Sequence, residues 1–515
     1  MIDFPAFAIS ALWLRLVALY CVVLLPLAAG LPPLIAIIES VYVMTGREIW
    51  KQTARFWGKL FGVALLMWAT GSIALTVLYI IDPGRLASHL RGTPGALLVV
   101  FFLPFVLAGA WVLWTWFQNW RDQHRVRHLF VTWLWVPLFG LAVLKVAVGY
   151  GLLDNPDGVE LDPGSVQIWI YDLPAVLLNP AAQSRFVHLM GACYLTAATL
   201  VLSISAWYLL RDRNARIARR SMTVAASFGF AAALSLAVLG DRAGYAASPG
   251  QQMRIAAIAA EWHTQAAPAS FTVFGIPDSG KHATHLAVNV PWALGLAATH
   301  SWRKSVAGLD DLETLTASHI RDGIAASTVL NSPRASAAGT DERVFDLEDN
   351  PDWGYALLLL RETEHPASAS RGQIAAAARS TIPNVPLLFW AFRAMVILGV
   401  YSIVLFGCAF LLASKRRLEK RGFLRLAAWS LPVPWIAGAL GWVVSEAGRG
   451  PWLVDGLLPI TQTHLSRPDA IIGATACLAM AGLFAAGAVL LVRLVRAGPE
   501  GLKFWSLDPA QAGKY

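Results

Sequence analysis

The chain of 515 residues is 57% hydrophobic and 14% charged, with a mean hydropathy of +0.55. Soluble domains carry roughly 25% charged residues, so this composition excludes an ordinary soluble protein and favours one embedded in lipid. The net charge of +9 does not indicate a nucleic-acid partner, because the basic residues lie in short loops between apolar runs. The four cysteines lie inside apolar runs without a CxxC pair, which argues against a disulfide framework or a zinc site.

Nine stretches are apolar over the roughly 20 residues that a helix needs to cross a bilayer. They are residues 13–44, 59–80, 95–118, 129–151, 180–210, 221–240, 386–413, 424–445 and 470–497. The first has no basic segment before it and carries Asp3, so we expect a retained helix rather than a cleaved signal peptide. The sequence therefore predicts an all-α, polytopic helical membrane bundle of about nine transmembrane helices.

Arginine and lysine residues concentrate in alternate loops between these stretches. The basic loops are residues 45–58, 119–128, 211–220 and 414–425. Because short basic loops stay on the cytoplasmic side, we expect a multi-pass membrane protein with these loops in the cytoplasm. Its N-terminus is predicted to be periplasmic and its C-terminus cytoplasmic.

A polar segment at residues 241–385 interrupts the pattern on the outer side. It is too long for a plain connector, and it is either a small folded lobe or a functional lid, with short amphipathic pieces around 308–330. The chain is accordingly divided into helices one to six (1–240), this outer loop (241–385), and helices seven to nine with a cytoplasmic tail (386–515).

His188 is the only one of 11 histidines that lies clearly within a predicted span. Asn179-Pro180 is typical of a helix start, which places His188 about 12 Å into its helix. Met395 lies about 14 Å into the span that begins near Pro386, at matching depth. A His/Met pair is a known axial set for haem iron, although a structural histidine and a core methionine are the alternatives.

Charged residues near these spans extend the candidate site. Arg393 is a natural partner for a haem propionate. Glu446 ends the eighth span and is followed by Arg449, which indicates either part of a binding site or a local ion pair at a helix end. Lys145, in the fourth span, has no assignment beyond a buried partner or a snorkelling end.

Nine ordered blocks of the sequence resemble subunit I of the cytochrome bd quinol oxidases from end to end. The blocks are AIIESVYVMTGREIW (36–50), RFWGKLFG (55–62), LNPAAQSRFVH (178–188), ISAWYLL (204–210), AASFGFAAALSLAVLGDRAGY (225–245), AEWHTQAAPASFTVFGIPD (260–278), AFRAMVILG (391–399), LPVPWIAGALGW (431–442) and GRGPWLVDGLLP (448–459). The resemblance implies a long periplasmic quinol loop between helices six and seven, and ubiquinol or menaquinol as substrate. It also implies a subunit II-like integral membrane partner, with or without a small single-span peptide.

The same resemblance implies roles for the candidate residues in helices five, seven and eight. His188 and Met395 match the axial ligands of the low-spin haem b iron, and Arg393 matches the arginine two residues before that methionine. Glu446 and Arg449 match the carboxylate and arginine around the family's GRxPW motif. In the family that glutamate belongs to the high-spin haem region, and so Glu446 belongs to a possible second haem.

In the quinol loop, the resemblance leads to two further residues. Arg254 stands where the family has a lysine, and Ala259 stands where the family has a glutamate five residues later. Glu261 lies nearby as a substitute carboxylate. Arg254 and Glu261 are therefore the predicted catalytic residues of quinol oxidation.

Two departures affect the family's oxygen-reducing site, which holds a second haem b and a haem d. Cys21 follows Tyr20 where the family has a haem-ligating histidine, so that a thiolate ligand is the remaining option. No Asp or Glu occurs from Leu86 to Arg121, where the family's third helix carries glutamates.

The resemblance thus implies a haem b-binding, quinol-oxidising electron-transfer subunit of a cytochrome bd-type terminal oxidase in aerobic respiration. One alternative is a divergent paralogue that keeps the low-spin haem but does not reduce oxygen. Another is a haem-free scaffold or regulatory subunit. A transporter would need charged residues along a path at mid-membrane, for which Lys145 alone is thin support.

Overall fold

The computed structural model describes residues 6–81, 90–91, 109, 112, 114–117, 120, 124–162, 167–246, 251–330, 352–363, 365–460 and 467–499. Within these ranges, eight helical segments are long and apolar enough to cross a membrane. They correspond to eight of the nine predicted spans, and they confirm the helical membrane bundle. The remaining predicted span, 95–118, lies almost wholly outside the described residues.

The described helices run through both the bundle and the outer segment. They are α1 (Ala6–Thr45), α2 (Glu48–Ile81), α3 (Arg125–Asp154), α4 (Leu173–Leu177), α5 (Pro180–Leu210), α6 (Ala215–Ala246), α7 (Gln252–Ala259), α8 (Ala293–Thr299), α9 (Leu309–Leu330), α10 (Trp353–Ala356), α11 (Arg371–Arg379), α12 (Val385–Ser414), α13 (Arg421–Trp429), α14 (Val433–Arg449) and α15 (Arg467–Ala497). Two short 3₁₀ helices occupy Leu357–Arg361 and Pro366–Ser368.

The helices that carry the candidate haem ligands start where the sequence indicates. At α5, the Asn179 side chain accepts hydrogen bonds from the backbone N–H groups of Ala181 and Ala182, and Pro180 occupies the first helical position. At α12, Asn384 accepts from the Leu387 N–H at 3.1 Å. These caps satisfy N–H groups that have no partner inside a helix, and they fix the position of each later residue along its helix.

The bundle packs closely where small residues let two helices approach. A Cβ atom at Gly30 of α1 would lie 2.1 Å from the Cys193 carbonyl oxygen of α5, and one at Gly229 of α6 would lie 2.1 Å from the Phe406 ring of α12. Helix α5 packs along α6 and α1, while α12 packs against α6 and α14. These contacts place α6 and α14 beside both helices that carry the candidate haem ligands.

Small β-sheets and short helices accompany the helical bundle. The described strands are β1 (Leu90–Arg91), β2 (Val159–Asp162), β3 (Gln167–Ile170), β4 (Phe271–Asp278), β5 (Ala283–Val290), β6 (Trp452–Val454) and β7 (Leu458–Pro459). Strands β4 and β5 pair antiparallel, with Phe271 opposite Val290, and β1, β3 and β2 form a separate three-stranded sheet.

The outer segment packs around apolar residues of its own and also rests on the bundle. Ala257, Trp262 and Leu309 from the segment cluster with Leu388 and Phe389 of α12. The amphipathic pieces expected around 308–330 form the single helix α9. The segment is therefore a folded lobe seated on α12, and the boundaries at 240 and 385 stay a prediction, since α6 itself continues to Ala246.

Candidate functional site

His188 lies on α5 and faces α6 at a glycine. Its Nδ1 atom is buried and has no hydrogen-bond partner among the described residues. A Cβ atom at Gly240 of α6 would lie 3.5 Å from His188 Cε1, so the imidazole lies directly beside the backbone of α6 at this glycine. A buried polar atom without a partner costs free energy, and a bond to a bound group would remove that cost.

Met395 lies on α12 and faces a glycine of α14. A Cβ atom at Gly441 would lie 3.1 Å from the Met395 Sδ atom, which is tighter than ordinary side-chain packing. Because both α5 and α12 pack against α6 and α14, the thioether and the imidazole belong to helices with shared neighbours. Their pairing across one iron atom stays a prediction.

Arg393 binds the outer lobe. Its Nε donates to the Val273 carbonyl at 2.8 Å, Nη1 donates to the carbonyls of Ile258 at 2.9 Å and Phe389 at 2.8 Å, and Nη2 donates to that of Thr272. These bonds use four of the five N–H groups of the guanidinium. The side chain thus fastens α12 to α7 and β4. Its expected bond to a haem propionate stays a prediction, for which one N–H group of the guanidinium is left.

We expect Arg393→Lys to loosen the lobe from α12, because a lysine ammonium cannot reproduce the planar fork that reaches four carbonyls. Limited proteolysis of the purified protein should cleave residues 252–290 at least several-fold faster than in the wild type. Arg371→Gln, which alters an exposed arginine of α11, is the matched control. Equal cleavage rates in the two variants would show that the fork does not hold the lobe.

Asp154 at the end of α3 gathers three arginines that are distant in sequence. Its carboxylate is almost fully buried and forms an ion pair with Arg185 of α5. It lies 3.7 Å from Nη1 of Arg254 and 3.3 Å from Nη1 of Arg449. The predicted quinol-loop arginine and the predicted arginine of the eighth span therefore meet on one carboxylate.

Glu446, the predicted carboxylate at the end of the eighth span, joins this arrangement through Arg449. Arg449 Nη2 lies 2.9 Å from Glu446 Oε1, which is the local ion pair anticipated at this helix end. The Arg185 guanidinium lies 5.2 Å from the centroid of the Tyr150 ring. We call Asp154, Arg185, Arg254, Arg449 and Glu446 the arginine cluster.

Asp455 is a further member of this region that sequence reasoning did not single out. Its backbone N–H donates to the Leu153 carbonyl at 3.0 Å. Burial, together with the nearby negative charge of Asp154, raises the pKa of Asp455 to about 7, although Arg254 and Arg449 oppose the shift. The sequence signal for the region was Asp154 itself, a carboxylate directly at the end of an apolar run.

Glu261 lies just beyond α7 and outside the arginine cluster. Its side chain is buried, with Oε2 accepting a hydrogen bond from Gln265 Nε2 at 2.9 Å. Burial raises the pKa of Glu261 from 4.5 to about 7, with smaller opposing effects from Gln265 and His263. Arg254 instead extends past Gly448, where a Cβ atom would lie 2.4 Å from Arg254 Cδ. The two predicted quinol-loop residues thus occupy different surroundings.

A further histidine, His128, is buried within a spanning helix, contrary to its predicted place in a loop. His128 is in the first turn of α3, with Nδ1 2.5 Å from Glu39 Oε1 of α1 and Nε2 3.0 Å from the Trp116 carbonyl. Thr132 donates to the other Glu39 oxygen at 2.6 Å. The loop assignment was wrong because α3 begins at Arg125, four residues before the apolar run that marks the span.

The residues that depart from the family at the oxygen site lie outside this description. The Cys21 side chain is not among the described ones, and most of residues 86–121 is likewise outside the described ranges. The altered oxygen site therefore stays a prediction from sequence.

Comparison with known proteins decides the family. The model of the family "Cytochrome bd terminal oxidase subunit I" matches residues 9–499. The chain belongs to this family. It is 32% identical over 510 residues to "Cytochrome bd-II ubiquinol oxidase subunit 1" of Escherichia coli (strain K12), covering 96% of this chain and 97% of the relative. It is 24% identical over 449 residues to "Cytochrome bd ubiquinol oxidase subunit 1" of Bacillus subtilis (strain 168), covering 85% and 81% of the two chains.

A solved structure agrees with the fold of this family member. The bd oxidase from Geobacillus thermodenitrificans superposes with a TM-score of 0.74, covering 97% of this chain and 100% of that chain, at 19% identity. At that identity the match establishes the fold alone. The resemblance recognised from the nine sequence blocks is thereby confirmed at the level of family and fold.

Proposed function

We propose that this family member is the haem b-binding, quinol-oxidising electron-transfer subunit of a cytochrome bd-type oxidase complex in the bacterial inner membrane. The observation that carries the proposal is the buried Nδ1 of His188, which has no partner among the described residues. It lies on a helix whose neighbours also contact the helix of Met395. Relatives named as ubiquinol oxidase subunits support the choice of substrate class.

The residues of this chain fit a haem between α5 and α12. His188 and Met395 would hold the iron, and a neutral imidazole with a thioether favours a low-spin haem of raised potential. Gly441 leaves the room that the Met395 thioether occupies, and Gly240 lies beside the His188 ring. When bound, the haem supplies one-electron redox chemistry, while the protein sets its potential and access. Glu446 and Arg449 are the proposed contacts of a second haem.

Glu261 is proposed to accept a proton when the quinol is oxidised. A quinol releases two electrons and two protons, and a base whose pKa lies near the working pH is well suited to take up such a proton. The neighbouring hairpin presents exposed apolar side chains, including Phe274, Ile276 and Leu286. Phe274 packs edge-to-face on Trp390 of α12 at 5.5 Å, so an apolar surface lies beside the helix that carries Met395.

Replacing Glu261 with glutamine tests this role through pH. With the pKa near 7, the carboxylate form grows as pH rises, so the wild-type rate of quinol oxidation should climb through about pH 7. Glu261→Gln should lower the rate and remove that limb. Glu362→Gln, at an exposed glutamate of the lobe, should leave the profile unchanged. A rising limb that persists in Glu261→Gln would exclude Glu261 as the base.

The same raised pKa of Glu261 also affects the stability of the folded protein, which should fall with rising pH while the rate of quinol oxidation rises. Between pH 4.5 and about 7 the folded protein binds more protons at Glu261 than the unfolded chain, so stability falls as pH rises across this window. The contribution is complete below about pH 4.5 and is lost through about pH 7. The thermal midpoint of Glu261→Gln should therefore vary less with pH than that of the wild type.

A second candidate is a paralogue that keeps the low-spin haem without reducing oxygen. It is favoured by Cys21 and by the absence of carboxylates from Leu86 to Arg121. For the purified complex, the reduced-minus-oxidised spectrum should show a haem b band without a haem d band. A strong haem d band with quinol-dependent oxygen consumption would contradict an altered oxygen site, and a spectrum without any haem would favour a scaffold.

The proposed assembly follows the family. A subunit II-like integral partner is expected to bind this chain, and a small single-span peptide is a further candidate. The N-terminus is proposed to be periplasmic and the C-terminus cytoplasmic, because the basic loops alternate along the chain.

A further inference from the structure

An apolar cleft of about 780 Å³ lies among α1, α2, α5 and α15, on the side of the bundle predicted to be cytoplasmic. Along α5 it extends from Leu200 to Arg211. At 1.5 Å per residue, this is about 16 Å, which is close to half of the roughly 30 Å hydrocarbon core of a bilayer. The cleft therefore has the depth of one membrane leaflet.

Arginines lie at the loop end of this apolar cleft. Arg211, Arg213 and Arg496 line that end. A second cavity of about 570 Å³ shares Trp207, Arg211 and Ala428 with the cleft and adds Arg421 and Arg425. The two spaces thus join an apolar slot at membrane depth to a cationic surface at the membrane boundary.

The walls of the cleft are fixed by hydrogen bonds between helices. Ser203 Oγ of α5 donates to the Ala427 carbonyl of α13 at 2.8 Å, and Tyr208 donates to the Val495 carbonyl of α15 at 2.6 Å. The Arg211 guanidinium stacks 4.7 Å from the centroid of the Trp207 ring. The slot is therefore part of the folded bundle rather than a gap between independent surfaces.

The charge of this surface is not balanced by carboxylates of the described residues. In the part of the chain that the structure describes, Arg211, Arg421 and Arg425 have no carboxylate within ion-pair distance, whereas Arg219 on the same side pairs with Glu419. Guanidinium groups match phosphate oxygens in geometry and charge. Basic pockets between helices on the cytoplasmic side are suited to anionic lipid headgroups.

We propose that this cleft is a binding site for an anionic phospholipid. One acyl chain lies in the slot along α5, and the phosphate is bound by Arg211, Arg421 and Arg425. Trp207 and the exposed Trp429 stand at the boundary, where tryptophan is favoured. None of these residues belongs to the candidate haem or quinol site, so the proposed lipid site does not depend on the proposed redox function.

The test measures lipid retained by the full chain purified with its partner subunit. The complex is incorporated in nanodiscs of phosphatidylethanolamine with a minor share of phosphatidylglycerol and then released into mild detergent. Native mass spectrometry then measures the lipids that stay bound to the complex. The wild type should retain phosphatidylglycerol preferentially. The triple variant Arg211→Gln/Arg421→Gln/Arg425→Gln should retain at least roughly tenfold less phosphatidylglycerol. The reason is that each lost bond to a charged group weakens binding by about that factor.

Two matched variants separate charge from site. Arg216→Gln/Arg416→Gln/Arg417→Gln removes the same charge from exposed arginines of the same side and should retain lipid as the wild type does. Ala488→Phe, on the α15 wall of the slot, changes no charge but should also reduce retention. If the triple variant is not recovered folded, the single variant Arg425→Gln and Ala488→Phe provide the same comparison.

Several outcomes would overturn the proposal. Equal retention in the arginine variant and its control would show that these arginines hold no lipid. Displacement of the lipid by inorganic phosphate at equal concentration would identify a phosphate site without an acyl slot. Loss of the partner subunit from the arginine variant, with phosphatidylglycerol retention unchanged, would identify a protein interface instead.

Discussion

Replacement of His188 by alanine is expected to abolish the low-spin haem b signal of the purified complex. The imidazole is partly buried in the bundle, and its Nδ1 atom is buried without a partner among the described residues; alanine leaves no side-chain ligand at this position of α5. Reduced-minus-oxidised absorption spectra, normalised to protein, measure this signal, and the haem b band of the variant should fall to background. His285→Ala, at an exposed histidine of β5, is the control for histidine loss and should keep the full signal.

Met395→Leu is expected to act differently from His188→Ala. Leucine fills nearly the same volume beside Gly441 but offers no sulfur, so the haem should stay bound with five-coordinate iron and a lower reduction potential. Spectra in the visible range and a redox titration measure both changes. Met190→Leu, on α5 near His188, is the matched control.

The outcomes of these two variants decide the axial assignment. Unchanged spectra in both, with the proteins folded by gel filtration, would exclude the His188 and Met395 pair. A haem signal that disappears in His188→Ala but is unchanged in Met395→Leu would leave the histidine as ligand and place the sixth ligand elsewhere.

Asp154→Asn is expected to destabilise the protein by about 3–5 kcal/mol, because removal of one partner leaves buried opposite charges uncompensated. Asp154 is 2% exposed and faces Arg185, Arg254 and Arg449. Its loss leaves their positive charges opposed by Glu446, which already binds Arg449, and by the nearby Asp455. Thermal unfolding of the detergent-solubilised complex measures the effect, and quinol oxidation should fall with it as Arg254 loses its anchor.

Asp157→Asn provides the matched control for the Asp154 prediction. Asp157 lies three residues after Asp154, in the loop that follows α3. Its side chain is exposed and, among the described residues, accepts a hydrogen bond from Asn155 Nδ2 at 2.8 Å, so this change should be nearly neutral. An Asp154→Asn protein as stable as Asp157→Asn would show that the arginines of the cluster are satisfied by other groups, such as Asp455 or solvent.

Local sequence features predicted the framework of the site correctly. Hydropathy over about 20 residues depends on neighbouring positions alone, so eight spans could be placed before any contact was known. The Asn-Pro start of α5 likewise fixed the depth of His188 along its helix. The hairpin of β4 and β5 escaped prediction, because its β5 strand has largely exposed apolar residues rather than alternating ones.

The sequence by itself determined the family, the spans and the identity of the candidate ligands, since each is written in short ordered stretches. Only the tertiary structure decided which polar groups meet. Arg449 contacts Asp154 across 295 positions, Arg393 contacts the Ile258 carbonyl across 135, and His128 contacts Glu39 across 89. A charged side chain in a medium of low dielectric requires a partner. The sequence shows that such a residue is present and needs a partner, but the packing of the helices decides which residue that partner is.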